Sequence, residues 1–171
     1  INKWIGQEND PLRKKKMEWL CSLINDSKVI WGVACGGHAE VLRMLLGLVD
    51  GVHDVNVALK NGSTALWESC HKDHLEVVHL LLQQNDINVN KPRTTDQVTP
   101  LYTACEQGFT SVVHHLLQHH DINVNQPKAT SETPLYVACS GDHTSVVDLL
   151  LKHHSIQVNQ ALTDDGSTPL F

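Results

Sequence analysis

Apolar residues recur along the chain in a pattern that predicts pairs of short helices. The segment 112–117 is apolar at its first two and last two positions, the stripe expected of a helix buried on one side. Upstream, Thr99 and Pro100 predict a helix over residues 100–107. A Thr oxygen can accept a first-turn amide, and Pro lacks an amide that would have no partner there. Because Gly108 permits a tight turn between them, the two helices are expected to form an antiparallel pair.

A short stretch of alternating polarity follows each predicted pair. The phrase DINVN occupies residues 86–90 and again 121–125, and SIQVN occupies residues 155–159. Alternation of this kind predicts extended backbone that leads to a turn, here near Pro92 and Pro127. The helix pairs are therefore expected to be joined by hairpin loops.

One phrase recurs four times, which identifies a tandem repeat. Thr64, Thr99, Thr133 and Thr168 begin TALW, TPLY, TPLY and TPLF at intervals of 35, 34 and 35 residues. A fainter copy begins at Lys28. A unit this small cannot bury its apolar face alone, so the units are expected to stack. The predicted repeats cover residues 28–63, 64–98, 99–132 and 133–167, with the start of a further repeat at 168–171.

These phrases resemble those of the ankyrin-repeat family, whose unit is a β-turn and two helices with a T-P-L-H-x-A phrase at a period of 33 residues. The resemblance covers residues 28–171. It implies an all-α repeat fold, an ankyrin-like α-solenoid of stacked helix-turn-helix units joined by β-hairpin loops. The chain departs from the family at the His of the phrase, which is replaced by Trp31, Trp67, Tyr102, Tyr136 and Phe171.

Residues 1–27 predict an N-terminal capping helix for the stack. Asp10 and Pro11 can start a helix that places Met17, Leu20 and Leu23 on one side. The C-terminus shows no such cap, and the chain stops inside a repeated phrase. We therefore expect the chain to be a fragment of a longer protein with further repeats.

Charge and hydropathy narrow the classes of partner. The chain has 171 residues, 13 Lys+Arg and 19 Asp+Glu, for a formal net charge of -6. This balance argues against a nucleic-acid partner. No apolar run approaches the roughly 18 residues of a membrane span, and no signal peptide is evident. We expect a soluble, intracellular, monomeric chain that is cytoplasmic or nuclear. The basic run at residues 13–16 fits either a nuclear-localisation patch or, preferably, a solvated helix face.

Three of the five cysteines share one position of the repeat. Cys70, Cys105 and Cys139 each follow the Thr of the phrase by six residues. Stacked helices lie about 10 Å apart, which is beyond the reach of a disulfide. These cysteines are predicted to be buried, reduced and structural. Neither Cys21 nor Cys35 lies in a CxxC motif.

Twelve histidines raise the question of a metal site. His115 and His119 are spaced i, i+4, and such a pair can bind zinc when a third ligand arrives. A simpler interpretation assigns some of these histidines to a helix end. In the family, a Gly ends the second helix of each repeat. Asn85, His120 and His154 occupy the position of this Gly, and His and Asn are the commoner non-Gly residues in left-handed backbone. We favour this interpretation and predict neither a metal nor a cofactor.

The chain contains no G-x-x-x-x-G-K, G-x-S-x-G or H-E-x-x-H motif, so catalysis is not predicted. The resemblance implies a non-catalytic module that binds a protein partner of unknown identity on a concave hairpin and first-helix face. Helix-two residues such as His79, His114 and Asp148 are predicted to face the convex side. The predicted contacts are the slots that vary between copies, the basic tip residues and two Tyr: Lys60, Asn61, Ser63, His71, Lys72, Arg93, Thr95, Asp96, Val98, Tyr102, Glu106, Gln107, Lys128, Thr130, Glu132, Tyr136 and Ser140. Among these, Arg93 and Tyr102 or Tyr136 are candidate anchors, the Tyr residues if exposed.

Two alternative functions remain open. In the first, the hairpin asparagines Asn90, Asn125 and Asn159 are substrates for asparaginyl hydroxylation, which the family resemblance implies. Each lies eight residues after a Leu and directly after a Val. The plainer interpretation is that their side chains bond turn backbone. In the second alternative, the array positions an effector domain that lies outside this chain.

Overall fold

The computed structural model describes residues 27–48 and 54–160, which form helix pairs in series. The first helices of the pairs contact one another in one row, and the second helices contact one another in a second row. The elements are α1 (Ser27–Cys35), α2 (Ala39–Leu48), α3 (Ala65–His71), α4 (Leu75–Leu82), α5 (Pro100–Glu106), α6 (Thr110–Leu117), α7 (Pro134–Ser140) and α8 (Thr144–Leu151). The predicted all-α repeat solenoid is confirmed. The capping segment, the basic run at 13–16, Cys21 and the phrase at 168–171 lie outside the described residues.

The first helices of the second, third and fourth repeats (α3, α5 and α7) begin at the predicted Thr caps. The Thr99 Oγ1 accepts a hydrogen bond from the Tyr102 amide at 3.0 Å. The matching bonds at Thr64 and Thr133 are each 3.1 Å long. Each cap satisfies an amide that has no partner within the helix, and such a cap stabilises a helix by about 0.5–2 kcal/mol.

The turns between paired helices use left-handed backbone. Gly37 and Gly108 have φ values of 72° and 73°, and Asp73 and Asp142 take the same position with φ of 58° and 56°. Asp therefore replaces Gly at this turn in two of the four described helix pairs. Asp tolerates the conformation because its short polar side chain can bond locally.

The predicted left-handed backbone after the second helix is wrong. Asn85, His120 and His154 do not have positive φ values. After α6, the cap residue Gln118 stays right-handed with φ -81° and ψ -13°. The next amide, from His119, donates back to the last turn of the helix at 3.1 Å. The chain leaves the helix through right-handed turns that satisfy its carbonyls, so no left-handed residue is needed.

The alternating phrases form turns rather than extended hairpin strands. Across the described ranges no strand occurs, and the one isolated antiparallel bridge joins Ala58 and Thr64. Val89 and Val124 are each 1% exposed, whereas the asparagines beside them are exposed or half-buried. The alternation of apolar and polar residues therefore reflects which side chains of the turn are buried in the core. The prediction of extended backbone in these phrases is wrong.

The cysteine prediction holds at two of its three positions. Cys70 and Cys105 are fully buried, and both are free thiols. Burial raises the pKa of both thiols. Cys139 is also free but only half-buried, so its predicted burial is wrong. It lies on α7, the last first-row helix in the described part of the chain, and no described helix covers its outer side.

Candidate functional site

Hairpin tips form a continuous edge along the stack. They comprise residues 59–63, 93–98 and 128–132, each closed by a backbone hydrogen bond of 2.9–3.0 Å between its first and last residue. Each tip is also bonded to the next. The Thr94 amide donates to the Asn61 carbonyl at 3.0 Å, and the Ala129 amide donates to the Asp96 carbonyl at 2.9 Å. We call this edge, together with the exposed C-terminal ends of the first helices at 71–72, 106–107 and 140, the tip face.

Close approach of two tips explains one glycine. Gly62 has a φ of 85°, and a Cβ at this position would lie 2.2 Å from the Thr94 backbone nitrogen. Only Gly fits both the left-handed backbone and the contact. The matching residues of the other tips, Gln97 and Ser131, adopt left-handed backbone with φ of 60° and 70°.

Arg93 is held between an aromatic ring and a carboxylate. Its guanidinium lies 4.4 Å from the centroid of the Trp67 ring. Its Nε donates to Asp96 Oδ1 at 3.0 Å, and its Nη2 bonds the other oxygen of the same carboxylate. The Trp67 indole N–H in turn donates to the Val98 carbonyl at 3.0 Å. Hydrogen bonds from Arg93 lower the pKa of the Asp96 carboxyl below its ordinary value of 3.8, although partial burial opposes the shift.

Lys128 repeats this arrangement in the next unit. Its ammonium lies 5.4 Å from the centroid of the Tyr102 ring and 2.6 Å from Glu132 Oε2. Partial burial alone raises the pKa of Glu132, but hydrogen bonds from Lys128 and Thr130 outweigh burial and lower it. In both repeats the aromatic residue of the TPLY or TALW phrase thus lies beneath the cation of its own tip.

The predicted contact residues fall into three groups by exposure. Exposed side chains are Lys60, Asn61, His71, Lys72, Thr95, Glu106, Gln107, Thr130 and Ser140. Half-buried side chains are Arg93, Asp96, Lys128, Glu132 and Tyr136. Buried side chains are Ser63, Val98 and Tyr102.

The three buried residues present almost no surface to a partner, so they are not carried into the proposed interface. Ser63 is 0% exposed, and its hydroxyl donates to the Asn61 side chain. Val98 and Tyr102 are 6% and 1% exposed and pack together with Trp67 in a small cluster of their own. Tyr102 is covered because the tip residue Lys128 lies over its ring. Of the two candidate Tyr anchors, only the half-buried Tyr136 keeps an accessible surface.

Two exposed residues of the first helices also join neighbouring repeats. The His71 ring stacks on Trp67 with centroids 5.0 Å apart, and its Nδ1 lies 3.0 Å from Thr103 Oγ1 of the next repeat. Lys72 donates to Cys35 Sγ at 2.9 Å in the preceding repeat. Sequence reasoning missed the buried residues Trp67 and Thr103, which hold the His71 ring in place. The i, i+4 spacing of Trp67 and His71 was the available signal.

The hairpin asparagines bond turn backbone, as the plainer interpretation predicts, but the turn belongs to the next repeat. Asn90 Nδ2 donates to the Asp121 carbonyl at 2.6 Å, and Asn90 Oδ1 accepts from the Asn123 amide at 2.8 Å. Asn125 makes the same two bonds at 2.7 and 2.8 Å. The predicted candidate Asn159 is exposed.

Sequence reasoning missed Asn56, which belongs to the same ladder of asparagines. Its side chain donates to the Asp86 carbonyl and accepts from the Asn88 amide, both at 2.7 Å. The signal was present, since Asn56 lies eight residues after Leu48, the same spacing as in the later copies.

The second helices present the opposite row. His79, His114 and Asp148 are exposed on α4, α6 and α8. His115 and His119 do not share a helix face, because α6 ends at residue 117 and His119 lies beyond it. The geometric premise of a zinc pair on one helix is therefore wrong.

This architecture is a stack of helix pairs with hairpin tips along one edge, and comparison with known families agrees with it. A family model described as ankyrin repeats (3 copies) matches residues 30–128 and 103–171. The chain belongs to the ankyrin-repeat family. Members of this family are generally protein–protein interaction modules and are typically non-catalytic. No curated protein matches the chain. Among the described helices, none has both the length and the apolar character needed to cross a bilayer.

Proposed function

We propose that this array is a non-catalytic module that binds a protein partner through the tip face. The observation that carries the proposal is the fixed position of Arg93 between Trp67 and Asp96. A long side chain that is already ordered loses little rotamer entropy when a partner docks on it. Arg is also enriched among residues that dominate binding energies. Arg93 is therefore the proposed anchor, with the half-buried Tyr136 as a second.

The charges of the tip face favour a protein over a phosphate backbone. Arg93 and Lys128 each have a carboxylate partner in the same tip. The exposed charges of the tip face have both signs: Lys60 and Lys72 are positive, and Glu106 is negative. A polyanion needs a continuous basic stripe, whereas mixed charges complement a protein surface of mixed charge.

Site-specific photo-crosslinking tests the proposed face and captures whichever protein docks there. A benzophenone amino acid replaces Gln107 on the tip face or Asp148 on α8, both of which are exposed. In cells that make the full chain, irradiation should give a discrete adduct from the Gln107 position and none from the matched Asp148 position.

Alanine substitution then tests the anchors against the captured partner. Arg93→Ala and Tyr136→Ala should each weaken binding by about 1–3 kcal/mol, while His114→Ala on the opposite row should leave it unchanged. Loss of binding from the His114 change alone would place the interface on the second helices. If the array only positions an external domain, the Gln107 position should give no adduct.

The hydroxylation alternative has less support. Both polar atoms of the Asn90 side chain are committed to the next repeat, so a hydroxylase would have to act on an opened chain. Mass spectrometry of protein from hydroxylase-containing cells should show no added oxygen on Asn90, Asn125 or Asn159. A stoichiometric gain of one oxygen at any of these residues would revive the alternative.

A further inference from the structure

Three potential metal ligands meet where the chain leaves α6. His119, His120 and Asp121 each offer one ligand atom, and these atoms all lie within 4.8 Å of one another. The two imidazole rings stack with centroids 4.6 Å apart, and His120 Nε2 lies 3.0 Å from Asp121 Oδ2. The side chains of His120 and Asp121 are 83% and 69% exposed, so an ion can reach them without unfolding of the array.

A fourth potential ligand lines the same groove. His115 and the His119–His120 pair border a groove of about 570 Å³ between the ends of α4 and α6. His115 Nδ1 lies 2.9 Å from the Ser111 carbonyl oxygen. A carbonyl can only accept, so this nitrogen carries the proton and Nε2 keeps the free lone pair. Metal-binding histidines commonly have their second nitrogen fixed in this way.

We propose that His119, His120 and Asp121 form a binding site for a divalent first-row transition metal such as Zn²⁺, with His115 as the candidate fourth ligand. Two imidazoles and a carboxylate form a donor set that zinc uses in proteins. The Asp121 amide donates to His119 Nδ1 at 3.2 Å, so this nitrogen is unprotonated. A metal bound at His119 Nδ1 replaces this long hydrogen bond.

The neighbouring repeats provide internal comparisons for this site. The three residues at the same position of the preceding repeat are Gln84, Asn85 and Asp86, which retain the carboxylate but lack both histidines. In the following repeat, His153 and His154 stack in the same way, with centroids 4.6 Å apart, but Ser155 replaces the Asp. The full donor set therefore occurs in one described repeat only.

Calorimetric titration of the 171-residue chain with zinc chloride tests the site. The wild type should bind one zinc ion per chain with higher affinity than any further zinc ions. His119→Gln/His120→Asn should lower the zinc affinity of this site about tenfold or more. These substitutions copy the residues that the preceding repeat carries at 84 and 85, so folding should be retained. Thermal melts without zinc check this. In the wild type, zinc should also shift the ring ¹⁵N resonances of His119 and His120.

Two further variants separate this site from general binding by surface histidines. His153→Gln/His154→Asn removes the same ring atoms elsewhere and should leave the tight site intact. Ser155→Asp completes the second donor set and should strengthen zinc binding there. The proposal is overturned if the wild type shows no zinc binding, or if the 119/120 and 153/154 double variants lose affinity equally.

Discussion

The guanidinium of Arg93 lies over the indole ring of Trp67, 4.4 Å from its centroid, and joins the tip of a repeat to the first helix of the same repeat. Lys128 and Tyr102 form the corresponding pair one repeat later. In the first repeat the matching tip residue is Leu59, which has no charge. A cation over an aromatic residue contributes about 0.5–1 kcal/mol when exposed and more when desolvated. The second and third tips therefore each have a stabilising contact with their own first helix that the first tip lacks.

The first prediction concerns the acid response of Asp96. Its pKa is lower in the folded protein than the ordinary 3.8, so its contribution to stability is present above pH 3.8 and is lost as the pH falls through the folded value. Arg93→Gln removes the main cause, so the Asp96 pKa in an NMR titration should rise towards its ordinary value. Arg43→Gln, which removes the exposed pair with Glu40, is the control and should leave Asp96 unchanged. Equal Asp96 pKa values in the wild type and Arg93→Gln would contradict the assigned cause.

Thiol reactivity should divide the cysteines by burial. In a Cys21→Ser background, an aromatic disulfide reagent should label Cys35 and Cys139 in the native state. Cys70 and Cys105, which are fully buried and have raised thiol pKa values, should react only after unfolding. Rapid native labelling of Cys105 would show that its helix is not packed as described. Cys70→Ala should cost about 1–2 kcal/mol, since it leaves a small cavity.

A glycine substitution should stabilise the array at Gln97 but not at Asn85. Gln97 is exposed with a φ of 60°, a conformation that costs a non-Gly residue about 1–2 kcal/mol. Gly removes this strain at some cost in unfolded-state entropy, so Gln97→Gly should raise the free energy of unfolding by about 0.5–1 kcal/mol. Asn85 lacks a positive φ, and Asn85→Gly should lower it. Urea unfolding measures both free energies. A higher free energy of unfolding for Asn85→Gly would indicate left-handed backbone at Asn85 and would contradict the structure.

Removing one asparagine of the ladder should weaken the contact between two repeats. Asn90→Ala deletes both bonds to the following turn and should cost about 1–3 kcal/mol. Asn88→Ala is the matched control. Its side-chain oxygen accepts only from the Asn90 amide within its own turn, so its loss should be smaller, about 0.5–1 kcal/mol. Amide hydrogen exchange should also become faster in both of the repeats that Asn90 joins when Asn90 is replaced by Ala. Equal losses for the two variants would show that the bond between repeats adds nothing.

By itself the sequence determined the repeat, the helix pairs and the start of the first helix in the second, third and fourth repeats. These depend on local chemistry: a Thr that caps the amide three residues on, a Pro in the first turn and an apolar stripe at helical spacing. The left-handed Asp73 and Asp142 were predictable for the same reason. Local patterns gave the wrong backbone conformation at the ends of the second helices. These helices end in right-handed turns, which do not require Gly, Asn or His at the position of Asn85.

Only the tertiary structure decided which variable side chains remain accessible. Val98 varied between copies as surface residues do, and Tyr102 was a candidate anchor, but packing of a tip onto its own first helix buries both. Stacking also gave Asn90 its bonds to residues 121 and 123. These contacts join positions about thirty residues apart, and their geometry depends on how one repeat is rotated and translated against the next. No local pattern in the sequence records that relation.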